Sequence, residues 1–536
     1  MKRYSWILLC CFLLTALPAR GQFYSAGTDP GAVRWSEIRT DNYRLIYPRG
    51  TDSLARAYAL SLQRQYPRVG LSLGYAPSEL CRKPMPVILH PYTSYGNGMV
   101  MWAPRRMELY SLGDPSDPDP MPWMLNLTTH EPRHAAQLQF GRRWPFKALR
   151  YLVGDLSDVA WWSIYTGIAF SEGDAVVTET ALTPFGRGRT ADFLEYVRVA
   201  FDEGDWRDYW RWRYGSNRLY TPDHYRAGYL LAAGLRTSWD EPLFLKKYHD
   251  NLFSRKLPLP FFNMPYTIRQ VTGLSFQEAW DTLSQDFQAI WAANDSLRAQ
   301  TAGGSGLRTP DFAQAFISGT PLTLSSRLYS SFRGATAAGD DIYAVQTGLE
   351  RAARLVRISP DGTVSSLGPF SATASDLRYA AGRLYWSEEI RDPRWELAGT
   401  SVVRMMDLST GRKQTLMAGE NRQALPEGFR PDAQAIRCLP DGGRYYNPAP
   451  SEDGQRLAAM HYATDGSHQV VITDAATGFS GNEVTLSILT APAGLQPAQG
   501  AWIGNTLYVS GVTDGTTVPT PTITVRNANL NVVRIA

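Results

Sequence analysis

His130-Glu131-Pro132-Arg133-His134 places two imidazoles four residues apart, with a carboxylate beside the first. On a helix, four residues advance about 6 Å and turn slightly more than once, so both rings leave one face and can converge on one ion. That donor set suits a catalytic zinc site: the ion lowers the pKa of its water toward ~7, and Glu131 is placed to take the proton. With seven histidines and eighteen glutamates in 536 residues, random placement would produce this arrangement about 0.003 times, so coincidence is a poor account of it. Pro132 runs against the pattern. It cannot donate to the Thr128 carbonyl and its ring crowds that oxygen, at a cost of about 3 kcal/mol or a kink. The expectation is that the kink rotates His130 away from His134, or that water or the Thr128 and Thr129 hydroxyls absorb it.

Zinc needs a third protein ligand, and Glu172, in Phe170-Ser171-Glu172-Gly173-Asp174-Ala175, is the best candidate. Ser171 reads as an N-cap and Glu172 as the first helical residue. The plainer explanation, an acid complementing a helix dipole, is worth only about 0.3–1 kcal/mol. Glu179, seven residues on, returns to the same face and could hold a ligand imidazole by its other nitrogen.

Such residues need scaffolding, and the chain is long enough for two or more domains, with 44% hydrophobic and 12% aromatic residues to fill their cores. A net charge of +4 gives no case for a nucleic-acid partner. Residues 1–21 read as a secretory signal: Lys2 and Arg3, an apolar run from Trp6 to Leu17, then Ala19-Arg20-Gly21 at the cleavage point. The expectation is an exported protein of the periplasm, cell envelope or exterior. No later segment reaches the ~20 apolar residues of a membrane span, so no transmembrane segment is expected after signal removal. Cys10 and Cys11 fall in the signal. Cys81 and Cys438 fall in different predicted domains, and a disulfide between them is not the expectation.

Apolar alternation predicts strands at Tyr43–Pro48, Met85–His90 and Met99–Tyr110, the last interrupted near Pro104. A helix is expected after Thr51-Asp52-Ser53, and another, beginning near Pro122, carries the histidines. Further helices are read at about Ser171–Leu182, Thr190–Phe201, Pro222–Arg236 and Ser275–Leu297. The catalytic unit, residues 22–297, is therefore an α+β domain. The mixed Trp, Tyr and Arg stretch from Trp206 to Tyr220 reads as helix-loop packing, and Gly186-Arg187-Gly188-Arg189 as a cationic turn lining the cleft. Residues 298–310, rich in Gly, Ala and Ser, read as a linker. Beyond it, from 311 to 536, pairs of short strands closed by Asp-Gly or Thr-Gly turns recur at Asp341–Gly362, Gly382–Gly411, Ser451–Gly478 and Gly504–Asn529. A spacing near forty residues is a propeller-blade period, and the length holds four or five blades, a small or incomplete propeller.

The motifs resemble those of the gluzincins, zinc peptidases with His-Glu-x-x-His on one helix and a glutamate ligand in a following Glu-Gly motif. The resemblance covers about Ser36–Leu297 and is closest to the peptidase-MA-like domains of secreted bacterial proteins, some of which are fused to a TolB-like propeller. It is carried by four features in order: the strand Asn97–Arg106, the zinc motif, Glu172-Gly173-Asp174-Ala175 with Gly186-Arg187-Gly188-Arg189, and the His224-Tyr225-x-x-Gly228-Tyr229-Leu230-Leu231 helix. It implies a zincin-like fold, Zn2+ held by His130, His134 and Glu172, Glu131 as base, and an oxyanion donor at His224 or Tyr225. Charge developing on the scissile carbonyl calls for such a donor, and Tyr229 is an alternative. The strand before the motif could take an extended peptide at its edge. The resulting expectation is a zinc-dependent metallopeptidase acting on a peptide or protein substrate, with the propeller-like region as a docking or substrate-selecting module for a protein partner. The alternative is a catalytically inactive zincin that serves, with the propeller, as an envelope binding or scaffold protein.

Overall fold

A computed structural model describes residues 28–304 and 329–535, apart from 75–82, 114–120, 144–145, 217, 219–220, 222, 254–262, 393, 420–435, 439–443, 475–485, 492–494, 514–521 and 525–529. The expected signal and Cys81 lie outside the described residues, as do residues 305–310 of the expected linker.

The N-terminal unit is built on one mixed five-stranded sheet. Its strands are β1 (Trp35–Arg39), β2 (Tyr43–Pro48), β3 (Met85–His90), β4 (Gly98–Trp102) and β5 (Arg105–Tyr110), in the order β1-β2-β3-β5-β4. β2, β3 and β5 run parallel, with Leu45 opposite Val87 and Val87 opposite Met107. β4 returns antiparallel to β5 and forms the sheet edge. Alternation decides which face is covered: Tyr43, Leu45 and Tyr47, then Met85, Val87 and Leu89, then Met107 and Leu109 are all buried. Helix α1 (Asp52–Gln65) contributes Ala55, Tyr58, Ala59 and Leu62 to the same core.

The other helices are α2 (Trp123–Gln139), α3 (Phe146–Val153), α4 (Leu156–Trp161), α5 (Ile168–Leu182), α6 (Ala191–Asp202), α7 (Tyr209–Tyr214), α8 (His224–Thr237), α9 (Phe244–Phe253), α10 (Asn263–Thr272) and α11 (Phe276–Gly304). Three of them depart from the expectations. α5 begins at Ile168, a turn before Ser171, because Gly167 takes a left-handed φ of 73° and sets the helix start. Ser171 is therefore not a cap, and Glu172 stands in the second turn. α11 continues to Gly304, so the helix occupies the first residues assigned to the linker. α2 runs unbroken through Pro132, and the Thr128 and Thr129 hydroxyls turn back to the carbonyls of Met124 and Leu125 at 2.8 Å rather than to the proline's vacated acceptor. α5 and α8 cross at Gly173 and Gly228, where a β-carbon on Gly173 would lie 1.9 Å from the Gly228 carbonyl carbon. Within Trp206–Tyr214, Trp206 stacks on Phe201 and Trp280 and Tyr209 and Trp212 are buried, whereas Trp210 and Tyr214 are exposed.

The C-terminal unit is all β. Four sheets follow one another: β6–β9 (Ser330–Pro369), β10–β14 (Arg378–Cys438), β15–β18 (Arg444–Thr490) and β19–β22 (Leu495–Ile535). Each sequence segment read as a repeat falls on the second strand of a separate sheet and the strand or turn after it. Successive sheets pack face to face, the arrangement of propeller blades: Tyr343 and Val345 share a core with Leu384 and Trp386, Tyr385 and Val403 with Tyr445 and Leu457, and Tyr446 and Met460 with Leu507 and Val509. The last sheet departs from a simple meander, with order β19-β20-β22-β21.

The two units are joined by the loop that leads into β4. Arg444, 2% exposed, donates to the carbonyls of Pro91 at 2.9 Å and Thr93 at 2.5 Å, and within its own sheet to those of Tyr462 and Ala463. The Tyr446 hydroxyl donates to the Ser94 carbonyl at 2.7 Å, and the Gly399 amide to that of Tyr92 at 3.0 Å. Leu112, just after β5, is buried among Tyr446, Tyr462 and Leu507 of the propeller. No described helix is long and apolar enough to cross a membrane.

Candidate metal centre

α2 presents His130 and His134 on one face despite Pro132, and α5 crosses behind them carrying Glu172. Three distances define the cluster. His130 Nε2 and His134 Nε2 lie 3.1 Å apart, and Glu172 Oε2 lies 3.0 Å from the first and 3.1 Å from the second. A tetrahedron with bonds of ~2.0–2.1 Å has edges of about 3.3 Å, so three donors at this spacing surround one zinc-sized point. The partners on the far sides of the rings assign their protons. His130 Nδ1 lies 2.5 Å from Glu179 Oε1, which is fully buried and also accepts from Arg187 Nη2 at 2.6 Å. Burial would raise the Glu179 pKa, but Arg187 and His130 outweigh it and hold the group down at about 2, so it is an anion and Nδ1 carries the hydrogen. His134 Nδ1 meets Gln137 Oε1 at 3.0 Å, and Gln137 is oriented because its amide nitrogen donates to Ser171 O and Asp174 Oδ2. In their neutral forms both rings turn an Nε2 lone pair toward the other and toward a carboxylate oxygen. The point they enclose takes a positive charge, a proton on Nε2 or a metal ion, and the donor set fits zinc.

The field at this point says the same. Burial opposes charge on His130, yet Glu172 and Glu179 more than offset it and lift its pKa to about 10. Burial likewise works against ionised Glu172, but His134 and His130 hold it far below the usual carboxylate range. The surrounding frame is a buried ion-pair network. Arg133, 0% exposed, grips Asp174 through Nε at 2.6 Å and Nη2 at 3.0 Å and donates to Val69 O at 2.7 Å. Arg236 of α8 also pairs with Asp174. Asp174 is two residues from Glu172, and Gln137, which it accepts from, aims His134.

Glu131 points from α2 into the cleft beside β4. A β-carbon on Gly98 would come within 2.7 Å of Glu131 Oε1, so only glycine lets the carboxylate lie against the edge strand. Burial, the largest influence, raises the Glu131 pKa above its ordinary value despite the opposing pull of His130 and His134, as suits a proton acceptor working near neutral pH. Among the three donor candidates, the structure places Tyr225 in the cleft, its ring 6.3 Å from that of His130. Burial and the nearby Glu172 raise its pKa, so the phenol keeps its proton. His224 sits against Tyr225, away from the residues lining the cleft, with its Nε2 buried. The Tyr229 hydroxyl donates to Gly188 O at 3.3 Å instead. Arg187, from the glycine-flanked turn, lines the cleft and lies over the Tyr225 ring.

Sequence reasoning did not assign Arg133, Gln137, Asp174 or Gly98. Asp174 lay within the motif carrying Glu172, but its partners, Arg133 and Gln137 of α2 and Arg236 of α8, come from two other helices, which spacing does not report.

No protein-family model matches the chain and no curated protein matches it in sequence. Among solved structures, the β-propeller domain of the trilobed protease from Pyrococcus furiosus is similar over 34% of this chain and 48% of its own, at 12% identity and a TM-score of 0.23. One chain from a structural analysis of two prolyl endopeptidases matches over 37% of this chain and 26% of its own, at 15% identity and a TM-score of 0.21. TolB from Acinetobacter baumannii matches over 32% and 49%, at 16% identity and 0.17. The chain thus spans less than half the length of each. The propeller architecture is read from the order and packing of its four sheets.

Proposed function

We propose that the chain is an exported zinc-dependent metallopeptidase of gluzincin type, and that its propeller serves as a docking or substrate-selecting module. The observation that carries this reading is the convergence of His130, His134 and Glu172 on one point, with Glu131 and Tyr225 beside it in a cleft bordered by an edge strand. A zinc ion held there supplies a Lewis acid and brings the pKa of its water toward ~7. Glu131 receives the proton of the attacking water and returns it to the departing amine. Tyr225, protonated and adjacent, donates to the carbonyl oxygen as negative charge grows on it, and Arg187 adds positive potential. β4 offers its free edge to an extended peptide and so fixes the carbonyl relative to Glu131.

The alternative, an inactive zincin serving as a binding or scaffold protein, draws its support from Pro132. The continuity of α2 across that residue, with both imidazoles on one face, removes much of that support.

The test combines metal analysis of the purified protein with cleavage of a mixed peptide pool. Stoichiometric zinc is expected in the wild type and in Glu131→Gln, with cleavage reduced about 10²–10⁴-fold in the variant. His130→Ala should lose the metal. A wild-type protein free of zinc, or a Glu131→Gln protein that cleaves normally, overturns the reading.

A further inference from the structure

A cavity of about 520 Å³ leads from the metal centre to the propeller, and both units line it: Asn126, His130 and Glu131 of α2, and Gln496 and Val512 of the last propeller sheet. The arginines there are engaged by neighbours, Arg187 by Glu179 and Arg226 by Asp223. Two carboxamides are not. Asn126 is 5% exposed and Gln496 half-buried, and among the described residues neither side chain has a hydrogen-bond partner. A buried amide group without a partner is costly, so one set in a cavity wall points to a ligand. Asn126 precedes His130 by four residues, so it stands about 6 Å from it on the same face of α2. Gln496 is aimed by its own sheet. It lies opposite Val512 where β19 (Leu495–Ile503) pairs with β20 (Thr506–Thr513), just before a bulge between Pro497 and Gln499. The bulge is pinned, since the Tyr462 hydroxyl donates to the Pro497 carbonyl and Asn447 Nδ2 to that of Ala498 at 2.7 Å. Such bulges re-aim the neighbouring side chain. Gln496 Nε2 thereby reaches the catalytic side of the interface: a β-carbon on Gly113 would lie 3.5 Å from it and 3.0 Å from Cβ of Trp123, which shares a face of α2 with Asn126.

Resting on the metallopeptidase reading, we propose that the propeller supplies part of the substrate site. Gln496, together with Asn126, hydrogen-bonds the main chain of an extended peptide about two residues from the scissile bond, the distance that one turn of α2 spans along a strand. Each carboxamide offers an acceptor and two donors, which match a peptide N–H and C=O. Recognition of this kind is indifferent to side chains and favours substrates that continue past the scissile bond toward the propeller. The peptide exchanges water for these partners as it enters, so each contact contributes about 3- to 10-fold in affinity.

The experiment uses full-length Glu131→Gln protein loaded with zinc, a dye-labelled octapeptide of alanine and serine, and analogues in which one amide N–H at a time is replaced by an ester oxygen. Anisotropy titration should show the ester weakening binding about 3- to 10-fold at one or two positions and little elsewhere. Adding Gln496→Leu, which removes the carboxamide at nearly constant volume, should weaken the all-amide peptide by a similar factor. It should also erase the penalty of one of those esters, while circular dichroism and zinc content stay unchanged. Asn126→Ala should act in the same way on an ester nearer the metal. An octapeptide that does not bind, an affinity untouched by Gln496→Leu, or a loss that falls equally on every analogue overturns the proposal even if the wild type cleaves peptides. Ester effects that depend on position and on Gln496, without any wild-type cleavage, would sustain the proposal and defeat the peptidase reading instead.

Discussion

Arg133 in the N-terminal unit and Arg444 in the propeller are both buried guanidiniums, and they are satisfied in different ways. Arg133 meets a carboxylate, Asp174, in a two-pronged contact that joins α2 to α5 inside one domain. Arg444 donates to main-chain carbonyls, two from its own sheet and two from the loop preceding β4. The first arrangement cancels charge locally and fixes the relative position of ligands on two helices. The second uses one cation to hold an interface, and what it holds is the approach to the edge strand β4. Rigidity of the metal centre and placement of the strand beside it thus depend on separate devices, and each can be removed without touching a ligand.

Arg133→Met should have the largest effect. It leaves Asp174 buried with only Arg236 and Gln137, and breaking such pairs typically costs 3–5 kcal/mol. Because those two partners remain, about 3 kcal/mol is expected in urea unfolding, with zinc affinity lowered about tenfold through the loosened Gln137–His134 contact. A loss below about 1 kcal/mol would show that Asp174 needs no partner from α2.

Arg444→Met should cost somewhat less, about 2 kcal/mol, since it strands carbonyls rather than a charge. Its signature is functional: zinc content is retained while KM for peptides rises, because the loop feeding β4 loses its anchor. If KM is unchanged and zinc is lost, the division between the two devices is wrong.

Which of these features the sequence disclosed follows from the range of the interactions. The spacing of four between His130 and His134, and of seven between Glu172 and Glu179, are helical periods, so the facing pairs were legible before any fold was known. The recurrence of the C-terminal sheets was legible too, because turn residues mark each sheet locally, although the sequence left four or five blades open and four sheets stand among the described residues. The start of α5 was misread because Ser171 has the chemistry of a cap, whereas Gly167 decides the boundary through its backbone angle. Short helices such as α4 and α7, of six residues each, offer less than two full turns of usable pattern. The two arginines left no signal at all: Arg133 reaches a partner 41 residues away and Arg444 one 353 away, and neither separation is a property of any local period.

A third way to separate the domains is acid. His249 is completely buried between Phe140 and Trp161, and burial holds its pKa down at about 3. The unfolded chain binds a proton there below about 6.5, whereas the folded one stays neutral until about 3, so stability falls as pH drops through that window. The slope from this group is about 1.4 kcal/mol per pH unit, or about 2 kcal/mol between pH 6.5 and 5. His468, in the propeller, is held down to about 4 by burial, Arg444 and His461, so that unit is acid-sensitive as well. Urea midpoints of His249→Phe measured from pH 7 to 5 should lose the slope in the N-terminal unit only. An unchanged slope would mean that His249 is not the group responsible.

The smallest expected effect concerns Pro132, which stands beside Arg133. Replacing it with alanine restores a donor for the Thr128 carbonyl and removes ring crowding, a gain of up to about 3 kcal/mol. The freer unfolded chain takes back about 0.4–1 kcal/mol, and retained packing of the proline ring takes back more, leaving about 1 kcal/mol of net stabilisation. If the Arg133–Asp174 pair is what keeps α2 straight across the proline, the two substitutions are coupled. Pro132→Ala should then recover more stability in the Arg133→Met background than it adds to the wild type, by at least about 0.5 kcal/mol in a double-mutant cycle. Strict additivity would place the straightness of the helix elsewhere, and would leave Arg133 as an anchor between α2 and α5 with no part in accommodating the proline.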